Sequence, residues 1–374
     1  MRWAWARVDL GALEHNVRVV RDLVAPSEVW AVVKADGYGH GALQTARAAL
    51  AAGATGLCVA LTQEGAELRA GGIGAPILVL SEQPPEDAAR IVAERLTPTV
   101  YTPGGIAAIA AAAAASSGAD PVVVHLKIDT GMHRVGAQPS QALALADAIV
   151  AAGLSLAGLF THLASADEPA AGSNASQLAT FDDVVTRLAA AGHAPALLHA
   201  ANSAAALAIG GSRRDIVRLG IAMYGIEPGP AVSALCAELR PALSLRARVS
   251  LVKQVAAGEG VSYGLRHHFT EATTVATIPI GYADGVPRRL FASGCEVLIH
   301  GRRMPVVGVI TMDQLMVDCG DATVEVGDEV VLIGSQAGSL GSDRIRAEEW
   351  AARLGTIGYE IVCGISKRIE RRFG

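Results

Sequence analysis

An amine at the end of an apolar strand is an unusual arrangement, and this sequence has one. Trp30-Ala31-Val32-Val33 runs into Lys34 and then directly into the glycine-rich stretch Ala35-Asp36-Gly37-Tyr38-Gly39-His40-Gly41. Withdrawal from water disfavours an ammonium and lowers its pKa, which is what an amine needs to attack an aldehyde and form a Schiff base. Taken alone, Lys34 reads equally well as a side chain that snorkels out of the strand end. It does not stand alone. Asn202-Ser203, ahead of a helical stretch, offers backbone donors and a hydroxyl, and Gly220-Ile221 offers more backbone donors, a combination suited to a phosphate. Ser203 by itself reads as a helix N-cap. A Schiff-base lysine together with a phosphate cradle suggests pyridoxal 5'-phosphate (PLP). Lys127, Asp129, His162 and Arg218 are further polar residues set in or just after apolar runs.

Those residues need a scaffold that gathers them, and the spacing of the apolar runs supplies one. Strands are expected at Val29–Ala35, Gly56–Ala60, Pro76–Leu80, Thr97–Tyr101, Val122–Asp129, Leu156–His162, Leu197–Ala201 and Ile216–Ile221. Helical stretches of crossover length lie between them, among them Gly41–Ala52, Gln63–Ala70, Gln141–Ala152 and Ser176–Ala191. Eight β-α units in succession predict an α/β fold, a (β/α)8 TIM-type barrel, whose catalytic groups belong at the carboxyl ends of the strands. Lys34, Lys127, His162, Asn202, Ser203 and Arg218 then share one rim. After Glu227-Pro228-Gly229-Pro230 the texture turns to β-rich runs: Ser244–Val255, Thr273–Ile280, Glu296–Ile299, Met304–Met316 and Glu329–Ile333. A helix near Ala347–Leu354 and a last β run at Tyr359–Val362 follow. The expected division is residues 1–230 as the barrel and 231–374 as a mostly β domain, with residues 1–10 able to form a strand that pairs with the second domain.

Composition excludes several alternatives. The 374 residues are 51% apolar and 18% charged, a globular balance. The mean hydropathy of +0.36 owes much to alanine, and no run has the length and bulk of a membrane span. The formal charge is -5 and the short basic tail Lys367, Arg368, Arg371, Arg372 reads as a solvated face, so no nucleic-acid partner is expected. Five scattered cysteines, Cys58, Cys236, Cys295, Cys319 and Cys363, form no C-x-x-C pair, and neither disulfides nor a metal site is expected. The first residues, Met1 to Arg7, lack the features of a signal peptide, and a cytoplasmic location is expected.

The segment Ala31–Gly41 resembles the PLP-lysine signature of alanine racemases. Further blocks resemble the family in order: Lys127-Ile128-Asp129-Thr130-Gly131-Met132-His133-Arg134-Val135-Gly136, Thr161-His162, Asn202-Ser203, Arg218-Leu219-Gly220, Val261-Ser262-Tyr263-Gly264, Gly281-Tyr282-Ala283-Asp284-Gly285, Met312-Asp313-Gln314 and Gly358-Tyr359-Glu360-Ile361. Each block is moderately specific, and the ordered set spans nearly the whole chain. Thr311 departs from the pattern, since several members carry cysteine there.

The resemblance implies interconversion of L-alanine and D-alanine by two bases, Lys34 and Tyr263, on opposite faces of the cofactor, with PLP as the electron sink. It implies cofactor contacts from Lys34, Tyr38, His162, Asn202, Ser203, Arg218, Gly220, Ile221 and Tyr359, and substrate contacts from Arg134, Met312, Asp313 and Tyr282. Arg218 would face the pyridine nitrogen. A guanidinium does not readily give up a proton, so that nitrogen would stay largely unprotonated and side reactions such as transamination would be restrained. Lys127 resembles a lysine carried as its N6-carboxylate, and charge supports this, because two cations in a dry site repel whereas a carbamate could anchor Arg134. The family also implies a homodimer with shared active sites, Tyr263 reaching the partner's barrel, and a role in supplying D-alanine for cell-wall peptidoglycan. The nearest rival is a serine or broad-specificity racemase of the same family. A PLP-dependent decarboxylase and a noncatalytic PLP-binding barrel are more distant ones.

Overall fold

The run Glu28–Val32 buries four of its five side chains, and Gly56–Val59, Ile77–Val79 and Ile216–Leu219 bury all of theirs. Strands covered on both faces read as unbroken apolar runs rather than as alternations, the signature of a parallel sheet. A computed structural model describes residues 2–116 and 120–374; Met1 of the expected N-terminal strand lies outside the described residues. The chain opens with β1 (Ala4–Val8) and continues through β2 (Glu28–Val32), β3 (Gly56–Val59), β4 (Ile77–Val79), β5 (Thr97–Val100), β6 (Val123–Lys127), β7 (Ser155–Phe160), β8 (Leu197–His199) and β9 (Ile216–Leu219). Strands β2 to β9 form an eight-stranded parallel sheet in the order β8-β7-β6-β5-β4-β3-β2-β9. The Asp215 N–H bonds Leu198 O and the Arg218 N–H bonds Ala201 O, both at 3.0 Å, which ties β9 to the segment of β8 and brings the sheet round into a nearly closed barrel. Helices cover the crossovers, including Ala42–Ala51, Thr62–Ala70, Pro103–Ala115, Ala142–Ala151 and Gly172–Ala190.

Two compact units divide the chain. The barrel unit comprises residues 13–37 and 41–240; the β unit comprises 1–12, 38–40 and 241–374. In the β unit, β10 (Leu243–Arg248) and β11 (Leu251–Val255) are followed by the small pair β12 (Gly260–Val261) and β13 (His267–His268). Then come β14 (Thr273–Ile278), β15 (Glu296–Ile299), β16 (Arg302–Val307), β17 (Leu315–Gly320), β18 (Glu329–Gly338), β19 (Gly341–Ile345) and β20 (Glu370–Phe373). The sheet runs β11-β14-β17-β16-β15-β18-β10-β1-β20, with β19 attached to β18. Strand β1 pairs antiparallel with β10 and parallel with β20.

The β-rich runs Ser244–Val255 and Met304–Met316 each take in parts of two strands, β10 with β11 and β16 with β17. Two expectations are corrected here. Tyr359–Val362 is not a strand but part of the helix Gly358–Cys363, in which Gly358, Ile361 and Val362 are buried; the spacing i, i+3, i+4 marks one helical face, which a short apolar run conceals. The basic tail is not simply a solvated face. It carries β20, and the Arg371 guanidinium donates to the carbonyls of Gly39 (3.0 Å), Ser366 (2.6 Å), Ile369 (2.7 Å) and Ile365 (2.7 Å). Arg372 lies over the Trp5 ring, 4.7 Å from its centroid. Among the described residues, no helix is long and apolar enough to cross a membrane.

Candidate active site

Arg218 stands in β9 with its side chain inside the barrel, 4% exposed. Its Nη1 donates to His199 Nδ1 at 2.9 Å. Its Nη2 donates to the carbonyls of Thr161 (2.9 Å) and Ala200 (3.0 Å) and to His162 Nδ1 (3.2 Å). A guanidinium has five N–H donors and no acceptor. Here the Nε–H and one Nη1–H have no partner among the described residues. Burial, partly offset by nearby Cys58, brings the Arg218 pKa down to about 10, so the group stays cationic at neutral pH. His162 and His199 are both held well below the ordinary imidazole pKa, first by burial and then by the Arg218 charge. Both rings are therefore neutral and able to accept from it.

Beneath this cation lies an aromatic floor. The Phe160 ring stacks on His199 with centroids 4.5 Å apart and planes at 6°. Two cations sit over that ring, Arg218 at 5.4 Å and Lys127 Nζ at 5.1 Å from its centroid. Lys127, 5% exposed, donates to Leu80 O at 3.2 Å. Burial and then the charges of Arg218, Arg134 and Lys34 push its pKa down from 10.5 to about 7. A large share of this amine is thus unprotonated at neutral pH and nucleophilic. Next to it, Asp129 organises the loop carrying Arg134: its Oδ1 accepts from the backbone N–H groups of Gly131, Met132 and His133, each at 3.0 Å. Burial raises the Asp129 pKa, but the three donors and the His133 charge outweigh it and the net shift is downward. Arg134 itself is exposed and has no hydrogen-bond partner among the described residues.

Lys34 sits where β2 ends, and the backbone that follows turns the wrong way round. Ala35, Asp36 and Gly37 lie at φ/ψ of 53/50, 53/47 and 61/45, and Tyr38 continues with φ 52, a full left-handed turn. For L-residues this costs roughly 1–2 kcal/mol each, so Ala35, Asp36 and Tyr38, with only Gly37 among them free of the penalty, need external support. Glu64 provides part of it, accepting from the Ala35 N–H (2.6 Å) and from the N–H groups of Ala60 (2.8 Å) and Leu61 (3.1 Å). The side chain of Asp36 accepts from the Ala42 N–H at 2.9 Å.

The expected phosphate cradle divides its work differently from a simple cap. Asn202 is the N-cap, its Oδ1 accepting from Ala205 N–H at 3.0 Å. Ser203, 3% exposed, instead receives the N–H groups of Gly220 (2.9 Å) and Ala222 (3.3 Å) on its hydroxyl. Ile221 follows Gly220 in the same turn.

In the β unit, the Tyr38 and Tyr359 rings approach to 6.2 Å between centroids. Gly39 is required beside them, because a Cβ there would meet Val362 O at 2.3 Å. The remaining candidates face outward: Tyr263 is 72% exposed, Met312 52% and Tyr282 41%. Three of them line different cavities. Tyr263 lines an open groove of about 900 Å³ with Ser262, Thr311 and Gln314, Tyr282 lines another cavity, and Asp313 a third. Tyr282 N–H bonds Thr311 O and Ala283 N–H bonds Met312 O, both at 3.0 Å, so the Tyr282 and Met312 loops run side by side. Asp313 accepts from Arg368 Nη2 at 2.7 Å.

Sequence reading missed His125, His199, Phe160, Gln177 and Glu64. His125 lies two residues before Lys127 on β6, on the same inward face, and that spacing was the available signal. Gln177 bridges three segments, accepting from Ala164 N–H (2.9 Å) and donating to Thr130 Oγ1 (3.2 Å) and His162 O (3.1 Å).

Comparison with known proteins identifies the family. The family model of the alanine racemase N-terminal domain matches residues 8–228, and that of the alanine racemase C-terminal domain matches residues 242–373. An alanine racemase of Symbiobacterium thermophilum is 45% identical over 376 residues, covering 100% of this chain and 98% of the relative. The crystal structure of the alanine racemase from D-cycloserine-producing Streptomyces lavendulae superimposes with a TM-score of 0.93 at 37% identity, covering 100% of this chain and 97% of that one. A histidine racemase from Leuconostoc mesenteroides subsp. sake superimposes with a TM-score of 0.89 at 29% identity, covering 100% and 98%.

Proposed function

The chain belongs to the alanine racemase family and is an enzyme of that class, an isomerase, and from that premise we propose that it interconverts L-alanine and D-alanine with PLP as cofactor, using Lys34 and Tyr263 as the two bases. The observation that carries the cofactor reading is Arg218: a buried cation locked by four acceptors and left with an uncommitted Nε–H, fit to donate to an unprotonated pyridine nitrogen. In the barrel, the Ser203 hydroxyl and the turn at Gly220-Ile221 suit a phosphate, together with Asn202; the family resemblance adds Tyr38 and Tyr359 to the phosphate contacts. Lys34 suits an aldehyde. When bound, PLP supplies the electron sink that makes the α-proton of an amino acid removable.

The residues of the chain do the rest. Lys34 Nζ takes or returns the proton on one face, serving the D-isomer, and Tyr263 Oη does so on the other, serving the L-isomer. Arg218 cannot supply a proton to the ring nitrogen at neutral pH and so limits the sink, which favours returning the proton to the α-carbon. His162 holds Arg218 by accepting its Nη2–H. Arg134 meets the substrate carboxylate, and Lys127, as its N6-carboxylate, becomes the anion that offsets Arg134 and Arg218. The lowered Lys127 pKa supports this, because a neutral amine is the form that adds carbon dioxide. Tyr263, Met312, Asp313 and Tyr282 would act on the barrel of a second copy, Met312 and Tyr282 bordering the substrate entrance of a homodimer. The exposure of Tyr263 supports that reading. The enzyme would work in the cytoplasm and supply D-alanine for peptidoglycan, with residues 1–230 as the cofactor-binding domain and 231–374 contributing Tyr263.

An alanine racemisation assay on purified protein, recorded with its visible absorption spectrum, tests the proposal. Turnover by a protein without a bound-cofactor band, or a band without turnover, would defeat it. A broader substrate range is the second reading, favoured by the histidine racemase of the same fold. Rates for alanine, serine, lysine and histidine decide between them, and alanine should be fastest.

A further inference from the structure

We propose that His125 is a positioning residue for Arg218, acting through His199: its Nδ1 fixes His199 in the one tautomer that can accept from the guanidinium. The inference rests on the reading of Arg218 as the partner of the cofactor ring nitrogen.

The argument starts from what each group can donate. Arg218 Nη1 lies 2.9 Å from His199 Nδ1 and can only donate, so His199 Nδ1 must carry a lone pair. A neutral imidazole then bears its proton on Nε2. That atom lies 2.9 Å from His125 Nδ1, which must accept in turn, leaving the His125 proton on Nε2. The three groups make a directional chain, Arg218 Nη1–H to His199 Nδ1 and His199 Nε2–H to His125 Nδ1. All are dry, with His125 1%, His199 0% and Arg218 4% exposed. Burial first, and the Arg218 charge second, hold His125 down to about 3, so it stays neutral and open as an acceptor.

The surroundings are built for this ring. A Cβ at Gly158 would lie 2.4 Å from His125 Nδ1, so glycine in β7 is what admits the imidazole. A Cβ at Gly56 would meet the Trp30 ring at 2.6 Å, and that ring lies 5.9 Å from His125 between centroids. Phe160 stacks flat on His199, so a swing of the His199 ring towards another acceptor would give up that contact. Without the acceptor on His125, the His199 Nε2–H would be stranded. The alternative tautomer would satisfy nothing better, since it would set an N–H against the Arg218 N–H. Arg218 would then lose the contact that fixes Nη1 and, with it, the aim of its remaining donors.

Two substitutions separate this role from space filling. His125→Leu keeps apolar bulk and removes the acceptor; His125→Asn places an amide oxygen close to the former Nδ1. In the holoenzyme, ¹⁵N-histidine spectra report the His199 tautomer directly. Wild type should show the proton on Nε2, His125→Asn should keep it there, and His125→Leu should show a mixture. In alanine turnover, the fraction of cycles that release pyruvate and leave the amino group on the cofactor should rise by about tenfold in His125→Leu, the scale of one lost hydrogen bond, and stay within about twofold in His125→Asn. A wild-type His199 protonated on Nδ1, or a folded His125→Leu with unchanged tautomer and partition, overturns the inference. If His125→Leu does not fold, the wild-type tautomer and the His125→Asn partition still decide. Wild-type protein that lacks a cofactor band or racemisation defeats the functional reading instead, while the tautomer measurement still answers for His125.

Discussion

The two units hold their candidate groups in opposite ways. In the barrel, Arg218, Lys127 and their partners are buried and over-determined: the Arg218 guanidinium meets four acceptors, and both it and Lys127 Nζ lie within 5.4 Å of the Phe160 ring centroid. In the β unit, Tyr263, Tyr282 and Met312 stand exposed, and Tyr263 follows a residue in a conformation normally left to glycine, Ser262 at φ 64, ψ -171. Within the barrel, burial and hydrogen bonds already hold the Arg218 guanidinium and its histidine partners in place, the kind of preorganisation that a charge-stabilising site uses. The exposed tyrosine has its position prepared by backbone strain and a short Ser262 Oγ–Val309 O bond of 2.6 Å, but not its environment. The proposed sharing of a site between two copies would call for such a contrast.

The largest test of the contrast exchanges subunits. Lys34→Ala and Tyr263→Phe should each lose at least about a thousandfold in alanine racemisation, the scale of removing an essential base. Mixing the two inactive proteins under conditions of subunit exchange should restore up to about a quarter of wild-type activity, because half of randomly formed dimers are mixed and each has one intact site. No recovery despite demonstrated exchange would place both bases on one chain. Tyr263→Phe should leave the melting temperature alone, as befits a side chain 72% exposed.

Next in size is a pH effect confined to the barrel. Lys127 loses its proton near pH 7 when folded but only near 10.5 when unfolded, so between those values the unfolded chain binds more protons and stability rises with pH. In bicarbonate-free buffer the slope should approach about 1.4 kcal/mol per pH unit across that window, and Lys127→Met should flatten it. Denaturant unfolding at a series of pH values measures the slope. A slope unchanged by Lys127→Met would mean that the lysine is not where the burial cost resides. Smaller again is Gly158→Ala, which drives a methyl into His125 and should cost about 1–3 kcal/mol through overpacking. The smallest effect belongs to the exposed side. Ser262→Gly trades relieved strain of about 1 kcal/mol against one hydrogen bond of similar size, so calorimetry should find a net change below about 1 kcal/mol. A larger loss would show that the turn before Tyr263 is held by more than its own backbone.

Legibility in the sequence followed the same divide. The barrel strands announced themselves because both faces are buried, and the Lys34 loop because its glycines punctuate an apolar run. The helix Gly358–Cys363 did not, since six residues hold too few turns to display a period. Nor did the His125–His199 pair, because two histidines 74 positions apart become neighbours only once β6, β7 and β8 lie side by side in register. Lys127 was visible as a residue type, yet its depressed pKa depends first on burial and then on Arg218, Arg134 and Lys34 converging from other segments. Arg371 looked like a solvated charge until its four carbonyl acceptors were in place.

The pairing of β1 with β10 and β20 has a consequence for synthesis. The strand Ala4–Val8 leaves the ribosome early, but its antiparallel neighbour begins only at Leu243 and its parallel neighbour only at Glu370. At about 5–20 residues per second, β1 waits on the order of 10 to 50 seconds for its first partner. Throughout that time it is an unpaired strand of four apolar residues and one arginine, the kind of edge that chaperones recognise. The barrel, encoded between these strands, can form first and carry the waiting strand at its amino end.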